Sequence, residues 1–138
     1  MRLKGRTALV TGGNRGIGLE VCRQLGVEGA RILLGSRDRT KGEQSQAQLK
    51  MDGIDVYVLQ MDLSDLESVL AAREQLKESV DVLVNNAAVL DQGNLFALKD
   101  HVLEYTIRVN LIAPVILAKH LAKRLEVATT SDEAAPPK

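Results

Sequence analysis

The stretch Thr7-Ala8-Leu9-Val10-Thr11-Gly12-Gly13-Asn14-Arg15-Gly16-Ile17-Gly18 constrains this 138-residue chain more than any other. Thr7–Thr11 is a short β-branched and aliphatic run that reads as a strand. Ile17–Glu28 reads as a helix with Ile17, Val21, Cys22 and Leu25 on one face, and Gly29 ends it as a C-terminal cap. Between them the glycines are spaced G-x-x-x-G-x-G. Gly12 permits a tight turn out of the strand, Gly16 lets backbone approach an anion, and Gly18 lets the helix lie close to the sheet. Unpaired N–H groups and the macrodipole at the helix N-terminus favour a phosphate there. No Gly-Lys-Ser/Thr follows, so the turn is not a Walker A loop. The expectation is a strand–turn–helix unit that holds a pyrophosphate, with Asn14, Arg15 and Ile17 beside the glycines.

The rest of the chain repeats the alternation. Ala30–Leu34 is a second strand. Thr40-Lys41-Gly42-Glu43 matches a capping box and opens a polar helix to Met51, closed by Gly53. Asp55–Gln60 is a third strand, and Ser64-Asp65-Leu66-Glu67 a second capping box for a helix to about Ser79. Asp81–Asn85 is a fourth strand; after a loop around Asp91–Asn94, a long helix runs from about Lys99 to Leu125. This pattern predicts an α/β, Rossmann-like three-layer α/β/α domain over residues 1–125 with a parallel sheet and right-handed crossovers. Residues 126–138 have few core formers and two prolines, and read as a disordered tail.

Composition narrows the classes. The formal net charge is zero, so no global field recruits nucleic acid or an acidic membrane. The single cysteine, Cys22, excludes an internal disulfide and fits a reducing compartment. Arg2, Lys4 and Arg6 resemble the start of a signal peptide, but Ala8–Val10 is too short for its apolar region. No apolar run approaches the ~20 residues that span a bilayer. The expectation is a soluble, cytoplasmic protein.

The end of the second strand bears on which nucleotide is held. A carboxylate ~20 residues past the glycines accepts from a ribose 2′-OH in NAD sites. Here Gly35-Ser36-Arg37-Asp38 puts Ser36 in that slot, followed by Arg37. With Arg15 in the turn, this makes a cationic corner suited to a 2′-phosphate, and NADP rather than NAD is expected. Asp38 is the counter-argument, since it can reach a ribose hydroxyl.

These motifs carry a resemblance. Thr11 to Gly18, Asp62-Leu63, Asn85-Asn86-Ala87-Ala88 and Asn110 stand in the order and spacing of the short-chain dehydrogenase/reductase family, and the chain is most similar to its NADPH-dependent carbonyl-reductase-like members over about residues 5–125. The resemblance implies an NADP-dependent oxidoreductase of carbonyl and alcohol substrates, with strand order 3-2-1-4. It implies that Asp62 contacts the adenine amino group with Leu63 beside it, and that Asn86, Ala87 and Ala88 line the cofactor floor. Ala88 stands where the family often has glycine. Asn110 matches the asparagine of the catalytic tetrad. Pro114, four residues later, has no N–H for the Asn110 carbonyl, so a kink is expected there and the freed carbonyl can hold a water. A packing kink without chemistry is the equal alternative.

The resemblance also implies a serine and a tyrosine four residues before a lysine, the tyrosine acting as the acid/base of hydride transfer. Met61 follows Tyr57 and Val109 follows Tyr105 at that spacing, so neither fits, and both tyrosines read as packing residues. Ser131 lies in the tail. The tetrad is reduced to Asn110, and the chain, about half the family's usual length, is expected to be a truncated cofactor-binding half, inactive alone. His101 and His120 have no second ligand cluster, so no metal is expected. Cys22 reads as buried packing, and Lys119, Lys123 and Arg124 as complements to a helix dipole. Strand four becomes an apolar edge through Val82, Leu83 and Val84. Leu111, Ile112, Val115, Ile116 and Leu121 are expected to bury one face of the last helix on the sheet, while the family often pairs another face with a second subunit. Self-association, or pairing with a full-length relative, is expected. Two further readings stand beside the oxidoreductase: a non-catalytic NADP-binding module, and an interaction protein.

Overall fold

Strands buried on both faces carry continuous aliphatic runs, and β1, Thr7–Val10, is buried at all four positions. The computed structural model describes residues 1–121. After β1 come α1 (Gly16–Val27), β2 (Arg31–Ser36), α2 (Arg39–Met51), β3 (Val56–Gln60), α3 (Leu66–Glu74) and β4 (Val82–Val84). A 3-10 turn at Leu95–Ala97 precedes α4, Asp100–Ile107, which runs through a π turn at Arg108–Ile112 into further helix as far as Leu121. The four strands are parallel in the order β3-β2-β1-β4, with Leu9 opposite both Leu33 and Leu83. The expected tail, 126–138, lies outside the described residues.

The pleat sends alternate side chains to opposite layers. Ala8, Val10, Ile32 and Leu34 point to one side and pack with Cys22 of α1 and Leu49 of α2. Leu9, Leu33 and Leu59 point to the other, where Val69 and Ala72 of α3 and Val109, Ala113, Leu117 and Leu121 of the last helix cover them. The α/β/α layering expected from the sequence is therefore present. Burial in the first layer pushes the Cys22 thiol up to about 12, so it stays neutral and unreactive. Gly29 and Gly53 end α1 and α2 with positive φ of 95° and 78°.

Several local expectations are corrected. Thr40 does not cap α2; the Asp38 side chain does, accepting from Lys41 N–H at 3.0 Å. Asp65, not Ser64, caps α3 by accepting from Glu67 N–H at 3.1 Å. Helix α3 ends at Glu74 rather than Ser79, because the chain turns to bury Leu76 and Val80 and to place Glu78 between Thr7 Oγ1 and Arg31. Ile17 does not join the apolar face of α1; it is exposed. Tyr57 is not packed inside the sheet but exposed, with the Arg31 guanidinium 4.4 Å above its ring.

The last helix differs most. Its buried stripe is Val109, Ala113, Leu117 and Leu121, whereas Leu111, Ile112 and Val115 are exposed. This helix is apolar on more than one side, so periodicity alone could not select the inner face. The helix over Asp100–Leu121 is also long and apolar enough, by length and composition alone, to cross a membrane, although the sequence holds no apolar run of that length. Charged residues such as Glu104 and Arg108 interrupt it, so no uninterrupted apolar run marks it in the sequence.

Candidate functional site

A cleft of about 610 Å³ opens at the carboxyl ends of the strands, where open α/β sheets place their ligands. Gly12, Asn14, Arg15, Gly16, Ile17 and Gly18 form one wall. Gly12 and Gly16 have positive φ, 62° and 54°. The first bond within α1 is Leu19 N–H to Arg15 O at 3.2 Å, so the N–H groups of Gly16, Ile17 and Gly18 precede the helical ladder and have no acceptor in it. A Cβ on Gly16 would meet nothing within 4 Å, so this turn offers bare backbone to the cleft. A Cβ on Gly18 would instead run into the Gly12 carbonyl and lie 2.5 Å from Asn86 Nδ2, so glycine is required where α1 starts against the turn after β1.

The turn is held from below by residues that local spacing does not reveal. Thr11, 2% exposed, accepts at Oγ1 from the N–H groups of Asn86 and Ala87, each at 3.1 Å. Asn86 Nδ2 donates to the carbonyls of Thr11 and Gly12 at 3.1 and 3.2 Å. Ser45 of α2, also buried, donates to the Asn14 carbonyl at 2.7 Å. The turn after β1 and the floor after β4, which is completed by Ala87 and Ala88, are thus one hydrogen-bonded unit.

At the far wall Asp62 accepts from Ser64 N–H at 2.9 Å and Ser64 Oγ at 2.7 Å. One carboxylate oxygen is tied into the turn, and the side chain still lines the cleft beside Leu63. Arg15 and Arg37 both line it, joined by Lys41 from the first turn of α2. Lys41 was not singled out in the sequence because it sits inside an apparent capping box. Ser36 departs from expectation: it is buried, and its hydroxyl donates to the Asp38 carbonyl at 2.7 Å instead of facing the cleft. Asp38 lines the cleft as well, with one carboxylate oxygen accepting from the helix cap, so Arg15, Arg37 and Lys41 share the lining with one partly engaged carboxylate.

Asn110 sits in the π turn, where Ala113 N–H reaches back to Arg108 O and Pro114 offers no N–H to Asn110 O. Its side chain is paired with the backbone of Val89, accepting from Val89 N–H at 2.8 Å and donating to Val89 O at 2.7 Å. This pairing ties the helix to the loop after the floor. Tyr105 corrects its reading as a packing residue: it lines the cleft, 36% exposed, and its hydroxyl accepts from Arg37 Nη1 at 3.4 Å.

The cleft has the features that a dinucleotide requires, and comparison with known proteins agrees. The family model described as short chain dehydrogenase matches residues 6–132. An uncharacterized oxidoreductase of Thermotoga maritima is 32% identical over 89% of this chain and 49% of its own length. Human carbonyl reductase (NADPH) 3 is 38% identical over 78% of this chain and 40% of its own. The crystal structure of a metagenomic short-chain oxidoreductase in complex with NADP superposes with a TM-score of 0.87 at 34% identity, covering 93% of this chain and 60% of that one. The chain spans about half the length of the curated relatives it matches. On sequence, strand order and fold together, this chain belongs to the short-chain dehydrogenase family.

Proposed function

We propose that this chain holds NADP(H) as the cofactor-binding half of a short-chain oxidoreductase acting on carbonyl or alcohol substrates, and that alone it transfers no hydride. The observation that carries the nucleotide preference is that Arg15, Arg37 and Lys41 all line the cleft, while the one carboxylate beside them, Asp38, has an oxygen engaged in the cap of α2. A 2′-phosphate needs cations and finds three there, whereas a ribose 2′-OH needs a free carboxylate.

In this reading the N–H groups of Gly16, Ile17 and Gly18 receive the pyrophosphate. Asp62 and Leu63 receive the adenine, and Asn86, Ala87 and Ala88 support the middle of the cofactor. Of the residues expected from the sequence, Ser36 acts only through the turn it stabilises, since its hydroxyl is bonded to Asp38. When bound, the nicotinamide supplies or accepts the hydride. Asn110 fixes the π turn against Val89 and leaves its own carbonyl without a Pro114 donor, which suits holding a water for proton transfer. No tyrosine in this sequence precedes a lysine by four residues, so the chain offers no acid/base in that pattern.

Calorimetric titration with NADPH and then NADH, followed by an NADPH-oxidation assay with a carbonyl substrate, tests the reading. Saturable binding that favours NADPH, without turnover, is expected. Equal affinity for both would overturn the 2′-phosphate assignment, binding of neither would overturn the cofactor role, and turnover would overturn the claim of inactivity. A second reading, an interaction protein pairing with a full-length relative, is favoured by the exposed apolar residues Ile107, Leu111 and Val115. Co-purification with a longer homologue tests it.

A further inference from the structure

The proposed NADP(H) site leaves Tyr105 unexplained. Tyr105 stands one helical turn before Val109, whose side chain is buried against the sheet, so its ring rises along the same face of α4 to the rim of the cleft. Its hydroxyl meets Arg37, a residue 68 positions away in sequence that also lines the cleft. We propose that Tyr105 is a positioning residue for nucleotide selectivity, one that holds the Arg37 guanidinium at the cleft rim before the 2′-phosphate arrives. The inference rests on the reading of the cleft as an NADP(H) site.

The chemistry supports this division of labour. A guanidinium carries five N–H donors, and the phenol oxygen takes one of them, which leaves the others for phosphate oxygens. Arg37 is exposed, and an exposed arginine loses rotamer freedom when it closes on a ligand. Part of that freedom is already spent when the side chain is tethered in advance, so the affinity gained is specific to the ligand group that Arg37 contacts. Gln60 adds a second restraint, its Nε2 donating to the Arg37 carbonyl at 3.4 Å and fixing the backbone from which the side chain springs. Tyr105 presents no charge of its own, so it should not help a dinucleotide lacking the 2′-phosphate.

The test is a double-mutant cycle read by Kd for NADPH and NADH. Tyr105→Phe keeps the ring and removes the acceptor. The expected result is about a threefold to tenfold rise in Kd for NADPH, the scale of one lost hydrogen bond, with Kd for NADH unchanged. In an Arg37→Ala background the same substitution should change neither value. Affinity for NADH serves as the internal measure that the variant is folded. An unchanged ratio of the two Kd values in Tyr105→Phe, or an equal loss with and without Arg37, overturns the inference while leaving the cofactor role intact. A wild-type chain that binds neither dinucleotide overturns both.

Discussion

Thr11 shows how much of the site hangs on a side chain whose role its place at the head of the glycine-rich motif does not reveal. Its hydroxyl accepts from two consecutive backbone N–H groups, those of Asn86 and Ala87, 75 and 76 residues away. Thr11→Val keeps the β-branching but leaves the Ala87 N–H facing a methyl group, while the Asn86 N–H retains the Val84 carbonyl at 3.0 Å. Such an unpaired donor costs about 1–3 kcal/mol. Chemical denaturation of Thr11→Val should therefore show a loss on that scale, together with weaker NADPH binding as the floor parts from the turn. A variant as stable as wild type would show that the Ala87 N–H finds another partner. The glycines beside Thr11 were legible because their reasons are local: a positive φ at Gly12 and Gly16 is a property of a few consecutive residues. The roles of Thr11, Ser45 and Tyr105 were not, because each depends on a partner that only the folded sheet brings near.

Elements were legible in kind and order, less so at their ends. Every expected strand and helix within the described residues is present, but both capping boxes misplaced the cap. In each case an aspartate nearer the helix start, Asp38 or Asp65, took the position from a Thr or Ser within the apparent box. Caps compete, and a carboxylate at a helix N-terminus also gains from the dipole. Asp38 consequently serves two masters, and two substitutions separate them. Asp38→Ala removes the cap and should cost about 0.5–2 kcal/mol of stability. Asp38→Asn retains an acceptor for Lys41 N–H and should cost far less. Both remove a negative charge beside Arg15, Arg37 and Lys41, so both should tighten NADPH relative to NADH. Thermal melts and paired titrations read the two effects independently; unchanged selectivity in both variants would mean that Asp38 lies too far from the phosphate to matter. The missing N–H of Pro114 points to an irregularity in the last helix, but its form, a π turn at Arg108–Ile112 with the Asn110 side chain paired to Val89, involves a partner outside the helix that helical spacing does not show.

At the scale of the whole molecule the question is what meets the surfaces that the described residues leave open. Strand β4 pairs with β1 on one side, and among the described residues no strand pairs with its other edge. The last helix buries Val109, Ala113, Leu117 and Leu121 and turns Ile107, Leu111 and Val115 outward. These three are spaced four residues apart, so they form a single apolar stripe along the helix. Phe96 and Leu95 in the preceding 3-10 turn are exposed as well. Apolar surface of this extent in water favours burial against another chain. Self-association through the stripe is therefore expected, and sedimentation velocity over a range of concentrations should show a mass that rises with concentration. Leu111→Glu places a charge in the centre of the stripe without touching the cofactor cleft, so it should shift the distribution toward monomer and leave NADPH affinity as it was. A wild-type chain that stays monomeric throughout would refute the association. Association that survives Leu111→Glu would instead move the contact to the outer edge of β4 (Val82–Val84), which among the described residues pairs with no other strand.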